Sequence, residues 1–385
     1  MDVVLTASEI RHRGGGYQLI LDIARRFNPV IYTARYVPET TYDEFREFDV
    51  RVLPRSTLER IPLSLGQGVP IGIRFFTAKL STDYDVINAH YSPSDLIRNR
   101  NPRVCWTLLT PLREAYDLYS WYRSNPKHLC RNDAPIDRMR HFFNIQSFKA
   151  LERAVVPKIE KICPISREID SRVKRYLGRN DAEVVNPGIN PQEFHCANYE
   201  RFFFYPSRLS VLKRHGIAIE AFRKFSSKRK GWKLVLAGYV NDFDKAYLPE
   251  LKALVASCEG VELIIDPSHE TMLDLYSRCY STLFSALNED WGYVILESMA
   301  SSKPVISIDE GGPREIITDR QTGFLVKDAD EMTRRMEQIV EDPSLAERLG
   351  KAGRLQVEKY HTVEIYLKNM ERIFKEVSSC KKQSD

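Results

Sequence analysis

The sequence predicts an α/β protein of two doubly wound domains, each a parallel sheet with helices on both faces. Three observations predict it. Short β-rich runs alternate with helical patterns along the chain, the order expected when each crossover between parallel strands is a helix. The length, 385 residues, exceeds one ordinary core and suits two. A turn-rich stretch at 186–199 breaks the alternation and is followed by a fresh strand, Arg-Phe-Phe-Phe-Tyr.

Strands are predicted over 3–6, 29–33, 50–53, 85–88, 104–108 and 161–164, with helices over 17–27 and 145–154. Beyond the break, strands are predicted over 201–205, 233–236, 261–265, 282–284, 305–308 and 323–326. Helices are predicted between them over 216–224, 249–257, 271–280, 293–301 and 330–340. Domains of 1–192 and 193–362 follow, with a cleft between the C-terminal ends of their sheets, where open α/β sheets bind ligands. A helix at 363–377 is surplus to the second sheet. The segment 363–385 is therefore expected to cross back to the first domain and end in a polar, frayed tail.

Composition narrows the class. A chain that is 43% hydrophobic and 28% charged is globular, not disordered. It lacks an apolar run of about 18 residues, so no transmembrane helix is expected. The opening Met-Asp-Val-Val-Leu has no basic region and reads as a strand, not a signal peptide. The seven cysteines are scattered without a Cys-x-x-Cys pair, which suits reduced thiols in a cytoplasmic protein. The net charge of +5 is uneven: residues 1–190 hold 29 basic and 22 acidic side chains, and 51–150 alone hold 15 and 8. Such a basic face suits an anionic partner, a phospholipid surface or a lipid pyrophosphate, and equally a face that is merely solvated. There is no aromatic-interleaved basic stripe, so nucleic acid is not expected as a partner.

Several segments carry chemistry. In Ser285-Ala-Leu-Asn-Glu289-Asp-Trp-Gly292-Tyr293-Val-Ile-Leu-Glu297, a strand end leads through an acidic loop into a helix. A helix starting near Gly292 turns free amides and a positive end toward a phosphate, and glycine allows close approach. Glu289 can accept hydrogen bonds from sugar hydroxyls, and Glu297 from a ribose. Spacing alone allows equally that two solvated acids stabilise a helix end. Arg208 and Lys213, five residues apart after a strand, can both reach one diphosphate. Gly14, Gly15 and Gly16 follow the first strand, and His90 ends the fourth. Arg113 lies in Leu109-Thr110-Pro111-Leu-Arg113.

Together these segments resemble the retaining glycosyltransferases of family 4, with their Glu-x7-Glu motif, Gly-Arg-Leu-x-x-x-Lys stretch and Gly-Gly loop. The resemblance implies the GT-B architecture: two Rossmann-like doubly wound domains with an interdomain cleft. It implies transfer of a hexose from a nucleoside diphosphate sugar to a hydroxyl of a glycan or lipid-linked acceptor. Glu289 then meets the donor sugar and Glu297 the nucleotide ribose. Arg208 and Lys213 hold the pyrophosphate, and Gly15, Gly16, Gly292 and Tyr293 line the donor. His90 stands near the reaction centre, and Arg113 binds an acceptor phosphate. No metal or other cofactor is expected. GDP-mannose is the first choice of donor, because 105–117 resembles a run in mannosyltransferases; a UDP-sugar is the second. The implied setting is the cytoplasm, in cell-surface polysaccharide synthesis, and the basic 51–150 region suggests a peripheral position at the inner face of a membrane.

This sequence departs from the family pattern at Ser207, where a glycine is usual, at Asp266-Pro267, and at Leu109, where similar sequences have histidine. Leu109 puts the acceptor side in question. It motivates one alternative, a donor-binding but inactive partner subunit; a GT-B sugar-nucleotide epimerase is another.

Overall fold

The structure is a computed structural model that describes residues 1–55, 68–125 and 135–380. The chain divides into two compact units. The first takes in the described residues up to Pro187 and the chain from Tyr366 onward; the second is Gly188–Ile365.

The first unit contains β1 (Val3–Ala7), α1 (Gly15–Phe27), β2 (Val30–Thr33), β3 (Val50–Val52), α2 (Gly68–Thr77), β4 (Val86–His90) and β5 (Val104–Leu108). There follow α3 (Tyr119–Ser124), α4 (Pro135–Val155), β6 (Lys161–Pro164) and α5 (Arg167–Arg172). Its strands form one parallel sheet in the order β3-β2-β1-β4-β5-β6. Every residue of β1, β4 and β5 is buried, as expected for central strands covered on both faces.

The second unit repeats the plan with β7 (Phe202–Pro206), α6 (His215–Lys228), β8 (Lys233–Gly238), α7 (Leu248–Ala256), β9 (Val261–Ile265), α8 (His269–Arg278) and β10 (Ser281–Phe284). It continues through α9 (Tyr293–Ala300), β11 (Val305–Ile308), α10 (Pro313–Ile316), β12 (Phe324–Val326), α11 (Ala329–Glu341) and α12 (Pro343–Tyr360). The sheet order is β12-β11-β10-β7-β8-β9, again parallel. Aromatic residues dominate its core: Phe203 stacks on Trp232 at 5.2 Å and meets Phe225 edge-on at 5.2 Å. The last helix, α13 (Val363–Ser379), packs in the first unit from Tyr366, with Phe374 edge-on to Phe27 at 5.3 Å. Residues 381–385 of the expected polar tail lie outside the described residues.

All twelve strands expected from the sequence are present among the described residues. The helices differ more. The sequence reading omits α2, α3, α5, α10, α12 and the first ten residues of α4. In α4 the periodic signal is blurred, because His141, Ile145, Phe148, Glu152 and Val155 face inward while Ile136, Met139, Phe142 and Phe143 are exposed. In α12 two interior glycines lower helix propensity. They are there for close packing: a Cβ at Gly350 would come within 2.0 Å of the Ser302 carbonyl oxygen, and one at Gly353 within 3.0 Å of Met299.

Each sheet reverses its winding at one point, between β1 and β4 in the first unit and between β7 and β10 in the second. Loops leaving the carboxyl ends of such neighbours diverge to opposite faces and leave room for a ligand.

Candidate active site

In the second unit the loops after β7 and β10 meet at that reversal. The first runs from Ser207 to Arg214, with a 3-10 turn at Val211–Lys213; the second carries Glu289 to Gly292. They are zipped together by the Leu287 amide donating to the Leu212 carbonyl at 2.8 Å. The buried Tyr205 hydroxyl donates to the Lys213 carbonyl at 2.5 Å and accepts from the Ser285 amide at 3.0 Å. The result is an ion pair between side chains 76 residues apart, with Lys213 Nζ 2.6 Å from Glu289 Oε2. Lys213 also lies over the Phe284 ring, 5.5 Å from its centroid.

Arg208 sits earlier in the same loop, its Nε 3.2 Å from Asp244 Oδ2. The two cations expected to hold a diphosphate therefore each face an acid. Gly292 caps α9 with φ 118°, a conformation that glycine adopts without strain. The first turn of α9 has no acidic side chain, so its positive end is not offset by its own residues. Glu297, half-buried within α9, accepts a 2.5 Å hydrogen bond from Tyr276. Burial raises its pKa above the ordinary glutamate value, partly offset by that hydrogen bond.

Ser207 stands where the family pattern has glycine. Its hydroxyl is 2.9 Å from His215 Nε2, and His215 Nδ1 is 3.3 Å from the Tyr247 hydroxyl. Burial drives the His215 pKa down to about 3, so it is a neutral structural link between the β7 loop and α6. At the other departure, Asp266 has φ 53° and its amide donates to the Gly238 carbonyl at 2.9 Å, extending the β8–β9 ladder by one bond.

The residues expected from the first unit lie at three places in it. Gly14 caps α1, Gly15 opens it, and Gly16 lies so close to its neighbours that a Cβ would come within 1.8 Å of the Tyr91 hydroxyl and 2.5 Å of Leu109 Cδ2. Leu109 is thus packed beside the glycine loop. His90 is fully buried at the end of β4, with Nε2 2.6 Å from Asn88 Oδ1. Asn88 spends its amide nitrogen on the Cys105 carbonyl and Thr107 Oγ1, so Nε2 is the donor and Nδ1 is left as an acceptor. Nδ1 has no hydrogen-bond partner among the described residues, and burial holds the His90 pKa down at about 3. Arg113 is committed to Asp117 through Nε and Nη2 at 3.0 and 2.9 Å. Asp117 also lies 3.8 Å from Arg172, which donates to Thr110 at 3.0 Å.

Four residues of these loops are not singled out by the sequence. Arg214 and Glu310 form a bidentate ion pair at 2.8 and 3.1 Å. Gly311 and Gly312 lie against the backbone of the Glu289 loop, the Gly312 amide donating to the Glu289 carbonyl at 2.7 Å. The adjacent Gly-Gly-Pro was the available signal, since it marks a backbone that something approaches closely. Among the described residues no group of three or more His, Cys, Asp or Glu side chains is placed to hold a metal ion. Six cysteines are free thiols, with Cys105 and Cys163 in sulfur contact at 3.5 Å; Cys130 lies outside the described residues.

Comparison with known proteins adds to this geometry. Residues 190–356 match the family Glycosyl transferases group 1. The chain is similar to the human alpha-1,3/1,6-mannosyltransferase ALG2, at 26% identity over 93% of this chain and 92% of that protein. It is 32% identical to the putative glycosyltransferase EpsD of Bacillus subtilis, over only 42% of either chain. The crystal structure of Anabaena HepE in complex with UDP and glucose superimposes with a TM-score of 0.76 at 17% identity, covering 98% of this chain and 100% of that one. That likeness shows the fold: two parallel six-stranded sheets with flanking helices, as in GT-B glycosyltransferases.

Proposed function

We propose that this glycosyltransferase moves a hexosyl group from a nucleoside diphosphate sugar to a hydroxyl of a glycan or lipid-linked acceptor, with retention at the anomeric carbon. The Lys213–Glu289 pair at the β7/β10 reversal, beside the N-terminal end of α9, is the observation that carries the proposal. When the glycosidic bond to phosphate breaks, its electron pair leaves with the diphosphate, and negative charge grows there. Lys213, Arg208 and the α9 amides are the groups proposed to meet it. Glu289 is assigned to the donor sugar and Glu297 to the ribose hydroxyls. Gly15, Gly16, His90 and Arg113 are the first unit's proposed contributions, the first three to the donor sugar and Arg113 to the acceptor. A neutral His90 suits hydrogen bonding to a sugar hydroxyl.

Mannose is the proposed sugar and GDP-mannose the proposed donor, supported by the similarity to ALG2 over nearly the whole chain. A UDP-sugar is the alternative, since HepE was crystallised with UDP. Retention follows from the family 4 resemblance, with the departing phosphate as the base. The outer face of α4 supports a membrane-associated acceptor: Ile136, Met139 and Phe143 fall on one side, opposite the buried residues, with Arg138 and Arg140 beside them.

Lys213→Ala and Glu297→Ala test the proposal by donor turnover, each expected to fall by about a hundredfold or more. Turnover within a few-fold of wild type in both would overturn it. Thermal stabilisation by a panel of nucleotides and sugar nucleotides identifies the donor, because a ligand of the native state raises its stability.

A further inference from the structure

Arg214 is an unusual residue in an unusual place. Its backbone is left-handed, with φ 50° and ψ 45°, a region that side-chain-bearing residues seldom occupy. Its guanidinium makes four hydrogen bonds. Nε donates to the Ser285 carbonyl at 2.7 Å and Nη2 to the Ala286 carbonyl at 3.0 Å. Nη1 and Nη2 grip the two oxygens of Glu310 at 3.1 and 2.8 Å. Glu310 Oε2 also accepts from the Asn288 amide at 3.3 Å.

These contacts have a common geometry. Strands β7, β10 and β11 are neighbours in the sheet, and Arg214, Ser285 to Ala286, and Glu310 lie in the three loops beyond their carboxyl ends. One side chain therefore staples three consecutive loops. The two outer attachments flank the functional pair: Lys213 is the residue before Arg214, and Glu289 follows Asn288, whose amide Glu310 holds. The Gly312 amide, two residues beyond Glu310, closes the ring by donating to the Glu289 carbonyl at 2.7 Å. The loop after β11 is pressed so closely that a Cβ on Gly311 would come within 2.3 Å of that same oxygen.

We propose that Arg214 and Glu310 are positioning residues that set the distance between Lys213 and Glu289 by tying the β7, β10 and β11 loops together. They act through backbone and a neighbouring loop and do not themselves touch the transferred sugar. The bidentate grip matters because it fixes angle as well as distance, which a single ammonium contact does not. This role rests on the reading of Lys213 and Glu289 as donor-site residues.

Arg214→Gly is the informative variant. It removes the staple at a position whose backbone suits glycine, so loss of folding is not built into the change. The expected result is a kcat for transfer or donor hydrolysis reduced about a hundredfold, the scale of a misplacement of about 1 Å. UDP or GDP affinity and the donor KM, which also depend on Lys213, are expected to change by a smaller factor than kcat. Glu310→Ala should reproduce the loss, and Glu310→Gln, which keeps one acceptor oxygen and the size, should restore part of it. A crystal structure of Arg214→Gly should show the Lys213–Glu289 contact broken. If Arg214→Gly does not fold, the two Glu310 variants carry the test alone. The proposal is overturned by kcat within threefold of wild type in the folded variants. It is equally overturned by kcat losses that track lowered melting temperature without rescue by glutamine, or by an intact Lys213–Glu289 contact in the crystal. Wild-type protein that turns over no sugar nucleotide overturns the functional reading instead, and the crystallographic distance then still decides the staple.

Discussion

At the scale of single residues, the second unit stores its cations against acids. Lys213 faces Glu289 and Arg208 faces Asp244, so under the proposed function a donor diphosphate competes with both carboxylates. Arg208 is more than a third exposed, so its pair with Asp244 is screened and worth about 0–1 kcal/mol. Asp244→Asn is accordingly expected to tighten UDP or GDP binding by no more than about fivefold, measured by titration calorimetry at low salt, with the gain shrinking as salt is added. Unchanged or weaker binding would mean that Asp244 does not compete. In the first unit, buried Asp95 accepts from Ser92 at 3.0 Å, and buried Glu152 accepts from Tyr116 at 2.6 Å. Burial pushes Asp95 up to about 7; burial, with Asp95 nearby, pushes Glu152 up to about 8. Lys149, which lies over the Tyr116 ring at 4.7 Å, opposes the rise at Glu152. Both acids bind protons more tightly folded than unfolded. Their stabilising contribution is full below about pH 4 and is lost as pH rises toward 7 to 8. Glu152→Gln should flatten that slope, raising the melting temperature at pH 8 and changing it little at pH 5; an unchanged slope would show that the pair stays ionised.

At the scale of elements, α4 has two apolar faces. One is buried in its unit. The other presents Ile136, Met139 and Phe143 at 47, 49 and 53% exposure, more than a lone surface residue would explain. Arg138 and Arg140 flank this stripe, and Trp121 and Tyr122 lie on α3, which meets α4 through Tyr119 stacked on His141 at 6.4 Å. In the proposed membrane contact, α4 would lie in the interface with its apolar side inward and its cations at the headgroups. Flotation with vesicles containing anionic phospholipid should therefore recover the protein. Met139→Asp with Phe143→Asp should abolish recovery while donor hydrolysis in solution persists. Equal recovery of wild type and variant would remove α4 as the contact. No helix among the described residues is long and apolar enough to cross a membrane.

At the scale of the whole molecule, legibility followed how local each signal was. The strands of both sheets were readable because buried parallel strands are short apolar runs between turn signals, as in Phe202–Pro206. The loop-to-helix step at Gly292 was readable because acid, glycine and helix lie within a few residues. Helix α12 was missed because Gly350 and Gly353 weaken its local signal, and only the contacts with Ser302 and Met299 explain them. The commitment of Arg113 to Asp117 is an i to i+4 pair, so its partner was within reach of the sequence, whereas the further link to Arg172 was not.

By itself the sequence determined the alternation of strands and helices and the local chemistry of each loop, since both depend on residues close along the chain. The tertiary structure decided which loops meet. The reversal of strand order between β7 and β10 brings together side chains 76 residues apart in Lys213–Glu289 and 96 apart in Arg214–Glu310. No local pattern encodes such contacts, because their partners are chosen by the packing order of the sheet.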